Sequence, residues 1–469
     1  MTRPHPGTDG RLPPSLAMGT ADVAFHLAAG GRPLPVVFAF GFEGRAPTLD
    51  SVRARVAERV HRVPTSRYRI ARDRRRFRRV DRIEADRHVH EAWLPEDTDG
   101  SATGRLMLSR PLATDDRPAW DVWLVHGPAG RHTLVYRTDH AYQDGVGAAW
   151  TARALLGDDP GGGPVPRPAA RPTARGLADA LAEVAAAFRA PTAKPAFDGV
   201  STGRVDVCHT RTPLARLRAV ARAHGGTVTD VYLAALSHAV RTWYLKDTGL
   251  VHPPLPVSIP MSVRAPGEEF APGNRMVTAR LLLPCDEESP RRALARIVAA
   301  TGRLRESRRR DAMRLLLAAA PRALGARVGT RLVHGAVVAG PVSSVDFGPA
   351  LIHQGGRGPA RGGLHQRRLR HPVRDDADQP ARHRVPERGA RRGPGDRGRA
   401  SRPVAGGAAG AGTAVAAASR GAPDRCPGPR AWRLRPCRAA SRSSGTRTSP
   451  RPCPPAECTG TAAPSHRAA

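Results

Sequence analysis

The apolar periodicity of this sequence stops near Arg357, and that break limits any folded core to the residues before it. Up to that point apolar residues recur at helix or strand spacing. Beyond it lie about two dozen Arg, no Lys, a single aromatic (Trp432) and an abundance of Pro, Gly and Ala. A segment of this kind buries too little apolar area to offset the entropy of ordering it, so 357–469 is expected to be a disordered tail. Two origins fit its composition. One is native basic disorder; the other is a lost reading frame, because GC-rich coding DNA read out of frame yields this Arg/Ala/Gly/Pro mixture.

The same break locates the charge. Of a formal net charge of +34, roughly half of the excess falls after Arg357. The Arg residues of the body sit on otherwise ordinary amphipathic helices and read as solvated faces, so nucleic acid is not an expected partner of the body. A basic nucleic-acid binder acting through the tail is the non-enzymatic alternative. No stretch approaches the roughly 18 consecutive apolar residues of a membrane span. Residues 1–15 lack the apolar run of a signal peptide, and a cytoplasmic protein is expected. Peripheral contact with a membrane or lipid droplet stays open, because the stretch 313–333 has a basic and an apolar side. Cys208 and Cys285 stand alone, and Cys426, Cys437, Cys453 and Cys458 form no Cys-x-x-Cys pairs. Neither zinc nor disulfides are expected.

The body reads as mixed α/β in two parts. Residues 1–17 are expected to be a disordered N-terminus. In 18–157, strands are predicted over 35–40, 88–94, 121–125 and 132–139, with helices over 49–63 and 146–156. The Gly-, Pro- and Arg-rich stretch 158–176 reads as a linker. The second part, 177–356, has predicted helices over 177–188, 214–223, 231–244, 290–305 and 313–333. Its predicted strands are 203–211, 256–263 and 277–283. Thr227-Val228-Thr229-Asp230 offers a capping box for the third of these helices.

The chemistry concentrates at Asp139-His140-Ala141-Tyr142-Gln143-Asp144-Gly145, where the strand 132–139 gives way to a loop. A His held by a sheet end, with an ordinary pKa near 6.5, accepts a proton from a hydroxyl or thiol at neutral pH. The activated oxygen then attacks a thioester carbonyl with no covalent enzyme intermediate. Asp144 pairs with an Arg to fix the loop, for which Arg264 is the candidate partner. Gly145 permits the turn into the next helix. Asn274 orients acceptor or donor, or simply closes its own loop. Trp120 reads as core. His88 and His90 share a strand face but have no third ligand nearby, so they read as structural histidines. Taken alone, His-x-x-x-Asp-Gly is a weak pattern, and a His ending a strand beside an Asp-Gly turn is its plain structural alternative.

Five further segments, in order, give the motif its context: Ala21-Asp22-Val23-Ala24-Phe25, Arg117-Pro118-Ala119-Trp120, Thr229-Asp230-Val231, Pro260-Met261-Ser262-Val263-Arg264 and Gly273-Asn274-Arg275. With the His motif they make the chain resemble the bacterial wax ester synthase/diacylglycerol acyltransferase family over residues 18–356. The resemblance implies two chloramphenicol-acetyltransferase-like domains with the site on a channel between them. It implies acyl-CoA as a substrate, no cofactor, and a lipid alcohol or diacylglycerol as acceptor. It assigns His140 as the base, with Asp144 and Gly145 completing the motif, and Asp139 and Asn274 as candidate substrate-binding positions. Asp139 stands where the family has a first His, and it holds His140, raises its pKa, or is a permissive change. Ser344-Val345-Asp346-Phe347-Gly348-Pro349 stands where the family has Asn-Val-Pro-Gly-Pro, and carries an Asp-Phe-Gly similar to a structural motif of plant acyltransferases. The resemblance ends at 356, where composition shifts, so the second domain is expected to be incomplete and the frame lost. Alternatives are a condensation-like acyltransferase using a carrier-bound thioester and a degenerate, inactive homologue.

Overall fold

The computed structural model describes residues 12–353 except 31, 72, 74, 97–100, 115–116, 160–162, 164, 190 and 199–205, together with the backbone of 356–358, 360–363, 367–368 and 410–411. The first part holds strands β1 (Ser15–Ala17), β2 (Pro35–Phe42), β3 (Tyr68–Ile70), β4 (Arg76–Arg79), β5 (Val89–Trp93), β6 (Trp120–His126) and β7 (His132–Asp139). Its helices are α1 (Thr20–Ala28), α2 (Leu49–Arg59), α3 (Ala102–Ser109) and α4 (Gly145–Leu156). The second part holds α5 (Ala174–Ala187), α6 (Leu214–Ala223), α7 (Val228–Thr248), β8 (Leu255–Ser262), β9 (Met276–Leu283), α8 (Pro290–Glu306), α9 (Arg309–Ala319) and α10 (Arg322–Leu332). Short strands β10 (Leu351–His353), β11 (Gly356–Gly358) and β12 (Ala360–Gly363) follow. These elements belong to one compact unit within residues 1–426.

The main sheet runs in the order β12-β2-β7-β6-β5, antiparallel apart from the β5–β6 pair. Period-2 alternation divides its side chains between two covered faces. Val36, Phe38, Phe40 and Phe42 of β2 face a core that includes Val52 and Val56 of α2 and Ala148, Ala149 and Ala152 of α4. Val37, Val125 and Val135 face the opposite way, onto Met107 of α3. Burial on both sides explains why β2 reads as a nearly continuous apolar run. On the α3 side Arg137 is buried, its guanidinium paired with both carboxylate oxygens of Asp121 (2.8 and 2.5 Å) and donating to Met107 O and Arg110 O. β1, β4 and β3 form a separate small sheet.

In the second part β8 and β9 form an antiparallel pair eight residues long. Leu255, Val257, Leu281 and Leu283 pack in one cluster with residues of α6, α7 and α8. Val277 packs in another with residues of α5, α9 and α10. Thr227 caps α7 and Asp230 returns the bond, completing the capping box seen in the sequence. Phe347 of the Asp-Phe-Gly segment is a core residue of the first part, edge-on to Phe38 with ring centres 4.5 Å apart. Arg153 holds that segment by donating to Phe347 O and Pro349 O.

Several expectations need correction. The helix predicted over 313–333 is broken at Pro321, giving α9 and α10, because proline lacks the N–H that a continuous helix would use. Residues 206–211 form no strand, and 203–205 lie outside the described residues. α5 begins at Ala174, inside the expected linker, because Thr173 caps it with its side chain. Residues 15–17 form β1 rather than a disordered terminus, and residues 1–11 lie outside the described residues. The boundary at 357 also moves. β12 pairs along β2, with Ala360 opposite Phe40 and Gly363 opposite Val37. A strand edge asks its neighbour only for backbone donors and acceptors, which need no apolar period. Most of the expected disordered tail lies outside the described residues.

Candidate active site

β7 carries the chain to His140, whose backbone N–H donates to Leu34 O at 2.7 Å. The following residues turn inward. Tyr142 donates its hydroxyl to backbone carbonyls of the first part and is fully buried. Gln143 accepts from Tyr136 Oη at 3.0 Å and donates to Thr151 Oγ1 at 2.6 Å. The three residues between His140 and Asp144 thus anchor the loop in the core rather than offering it to solvent.

Asp144 is the N-cap of α4, and its Oδ1 accepts from Gly147 N at 2.8 Å. Arg264 reaches it from the end of β8 with Nε on Oδ1 (3.2 Å) and Nη2 on Oδ2 (2.8 Å). The remaining guanidinium donors go to the carbonyls of Glu268, Ala271 and Gly273. Oδ2 also accepts from Arg275 N at 2.7 Å. Burial alone would raise the Asp144 pKa, but the charge and hydrogen bonds of Arg264 outweigh it and hold the carboxyl below its ordinary value. Both groups are buried, and each is saturated by the other and by backbone. Gly147 has to be glycine here, since a Cβ would lie 2.4 Å from Arg264 Nη2.

The loop 264–275 meets His140 through Asn274. Its Nδ2 donates to His140 O (2.7 Å) and to Asp22 Oδ1 (3.1 Å). Two acceptors at one end fix the amide orientation, so Oδ1 is the atom 3.2 Å from His140 Nδ1. An amide oxygen only accepts, which puts the proton on Nδ1 and leaves Nε2 as the basic nitrogen of the neutral ring. Phe25 stacks on that ring with centroids 3.8 Å apart. Burial lowers the His140 pKa, against hydrogen bonds and the Asp144 charge that raise it, so the ring is neutral at pH 7. Gly273, at φ +87°, turns the chain so that Asn274 faces His140.

His140, Asp144 and Gly145 line a cavity of about 130 Å³ between the two parts. Phe25, Val146, Met276, Val333 and Val345 give it apolar walls, and Ser258, Ser262, Thr278, Ser343 and Ser344 add hydroxyls. Asp139 and Asn274 do not line it. The Asp139 Oδ1 instead accepts from Leu34 N and Ala141 N, both at 3.1 Å, and burial raises its pKa to about 6. Among the described residues it makes no hydrogen bond to the His140 ring and does not line the cavity; its carboxylate anchors backbone. Asn274 likewise positions His140. Gly145 is the helical first residue of α4, and the left-handed turn lies at Gly273 instead. Trp120 is core and donates Nε1 to Ser66 O. His88 stacks on Trp120 and bonds its carbonyl, and burial lowers its pKa to about 4. Among the described residues no group of three His, Cys, Asp or Glu could hold a metal ion.

The sequence reading gave no role to Asp22, Phe25, Gly147 or Ser258. Asp22 and Phe25 lay inside a segment quoted for its resemblance. The signal was present, but nothing in one sequence says that a buried carboxylate of α1 receives the backbone N–H of Asn274.

A neutral histidine, its tautomer set by an amide, thus sits at the edge of a cavity joining two mixed α/β parts. Residues 18–182 match the wax ester synthase/diacylglycerol acyltransferase catalytic domain. A Mycobacterium tuberculosis protein that carries the provisional name diacylglycerol O-acyltransferase is 28% identical over 253 residues, covering 44% of this chain and 52% of that protein. A provisionally named Mycobacterium bovis relative is 28% identical over 230 residues, covering 41% and 50%. The chain therefore spans about half the length of the curated relatives it matches. The first condensation domain of the calcium-dependent antibiotic synthetase has the same fold at 19% identity, with a TM-score of 0.50 and coverage of 74% of this chain and 84% of that one.

Proposed function

We propose that this chain transfers an acyl group from acyl-CoA to the hydroxyl of diacylglycerol or a long-chain alcohol, with His140 as general base. His140 Nε2 takes the proton of the acceptor hydroxyl as its oxygen attacks the thioester carbonyl. The tetrahedral intermediate collapses with cleavage of the C–S bond, and the imidazolium returns the proton to the leaving thiolate. Ester and free CoA are the products, and every proton is accounted for by one side chain. The observation that carries this reading is the Asn274 contact, which leaves Nε2 as the basic atom of a cavity-lining ring. Asp144 and Arg264 hold the loop and take no part in proton transfer, because their hydrogen-bonding capacity is spent on each other and on backbone. The family supports acyl transfer as the reaction class, and the mixed lining of the cavity suits a substrate with an apolar chain and a polar centre.

The test is His140→Ala in the full chain, assayed for free thiol and ester from palmitoyl-CoA with dioleoylglycerol or hexadecanol. Product is expected to fall by roughly 10²–10⁴-fold, the usual contribution of a positioned base, with the circular dichroism spectrum unchanged. Unaltered turnover in the folded variant removes His140 from the mechanism. Thioester turnover only from a carrier-bound acyl group moves the chain to the condensation-like class.

A further inference from the structure

One wall of the cavity is built by alternate residues of one strand. Ser258, Pro260 and Ser262 of β8 face it, and their β9 partners Thr278 and Met276 stand opposite Pro260 and Ser262. Val257 and Ile259, on the other face of β8, pack toward the helices. The Ser258 backbone is fully paired: its N–H donates to Gly340 O at 3.0 Å and its carbonyl accepts from Val342 N at 2.8 Å. Its side chain is different. Ser258 is 1% exposed, and its Oγ has no hydrogen-bond partner among the described residues.

A buried hydroxyl without a partner is costly, and an alkyl chain laid against it would leave that cost in place. Whatever occupies this end of the cavity must therefore bring a hydrogen-bonding group. Position along the strand narrows the choice. Met276, opposite Ser262, packs beside Phe25 and Ala141, so the Ser262 end is the His140 end. Four residues at roughly 3.4 Å each put Ser258 about 14 Å farther along the strand. An extended pantetheine arm carries two amides along its length, whereas an acyl chain carries nothing polar beyond its carbonyl.

We propose that Ser258 is a donor-specificity residue, hydrogen-bonding an amide of the pantetheine arm and so directing that arm, not the acyl chain, along the β8–β9 wall. This rests on acyl-CoA being the donor. Ser258 touches neither the reacting carbonyl nor His140 in this arrangement, so it acts on binding.

The experiment measures binding of pantetheine and, separately, of 1-dodecanol to the full chain, in wild type, Ser258→Ala and Ser258→Thr. Loss of the hydroxyl is expected to weaken pantetheine by roughly five- to tenfold, one neutral hydrogen bond, and to leave 1-dodecanol unchanged. Ser258→Thr, which keeps the hydroxyl, is expected to restore most of the loss. In turnover, Ser258→Ala is expected to raise KM for acyl-CoA with kcat unchanged. Equal pantetheine affinity in wild type and Ser258→Ala overturns the assignment while leaving the acyl-CoA reading intact. Weakened dodecanol binding with unchanged pantetheine binding overturns it in favour of an acyl-chain wall. A wild-type chain that binds no pantetheine overturns both readings together.

Discussion

The two walls of the cavity treat their polar groups in opposite ways. On the histidine side Asp144, Arg264, Asn274 and Asp22 partner one another or backbone, and the geometry is complete without a ligand. On the β8–β9 side the Ser258 hydroxyl is buried with no partner among the described residues. The first wall is rigid because each donor has an acceptor already in place; the second presents hydrogen-bonding capacity that a ligand can use. The difference separates what prepares the base from what selects the substrate.

The largest effect is expected from breaking the saturated side. Arg264→Met removes the cation from a buried carboxylate. Leaving Asp144 as an uncompensated charge should lower unfolding free energy by about 3–5 kcal/mol, measured as a shift of the urea midpoint. Adding Asp144→Asn, which keeps an acceptor for Gly147 N, should recover part of the loss. A midpoint unchanged in Arg264→Met would mean that the ion pair does not hold the two parts together.

Next comes the contact that sets the tautomer. Asn274→Ala should reduce kcat/KM by roughly 10²-fold, the lower end of a base's contribution, because either ring nitrogen then carries the proton. The pH profile separates this from a structural defect. Burial lowers the His140 pKa, so in the wild type the acid limb of kcat/KM should lie below the ordinary 6.5. The Asn274 hydrogen bond is one of the interactions that raises that pKa, so deleting it should move the acid limb to still lower pH. A limb that stays in place or moves up would contradict the assigned tautomer.

How much of this was legible in the sequence depends on whether the signal is local. Helices with good caps were readable: 214–223 coincides with α6, and Thr227 with Asp230 marks the start of α7. The apolar runs of β2, β7, β8 and β9 were readable because their pattern arises from the residues themselves. α3 and the small β1-β4-β3 sheet were missed, since they are short and rely on neighbours for their apolar contacts. At the site, the Asp144–Arg264 pairing could be guessed because both residues sit in recognisable segments 120 residues apart. The orientation of Asp139 and the orphaned Ser258 hydroxyl could not, since both depend on which backbone groups the fold brings near.

Asp139, next to the base, offers the smallest and sharpest test of the comparison. It stands behind the saturated side, accepting two backbone N–H groups, yet burial raises its pKa from 3.8 to about 6. Between those values the native state holds a proton that the unfolded chain has released. The sign follows: stability falls as pH rises from about 4 to 6, then levels off with the carboxylate charged and buried. Asparagine keeps an oxygen for Leu34 N and Ala141 N and removes the charge. Asp139→Asn should therefore gain about 1–2 kcal/mol at pH 7, less than the full shift implies because the amide lengthens or tilts one bond. The gain should vanish near pH 4, where aspartic acid is already neutral in the fold. Urea unfolding at pH 4 and pH 7 measures both. If Asp139→Asn destabilises the protein at pH 7, the charge itself is being used, and Asp139 does more than anchor backbone.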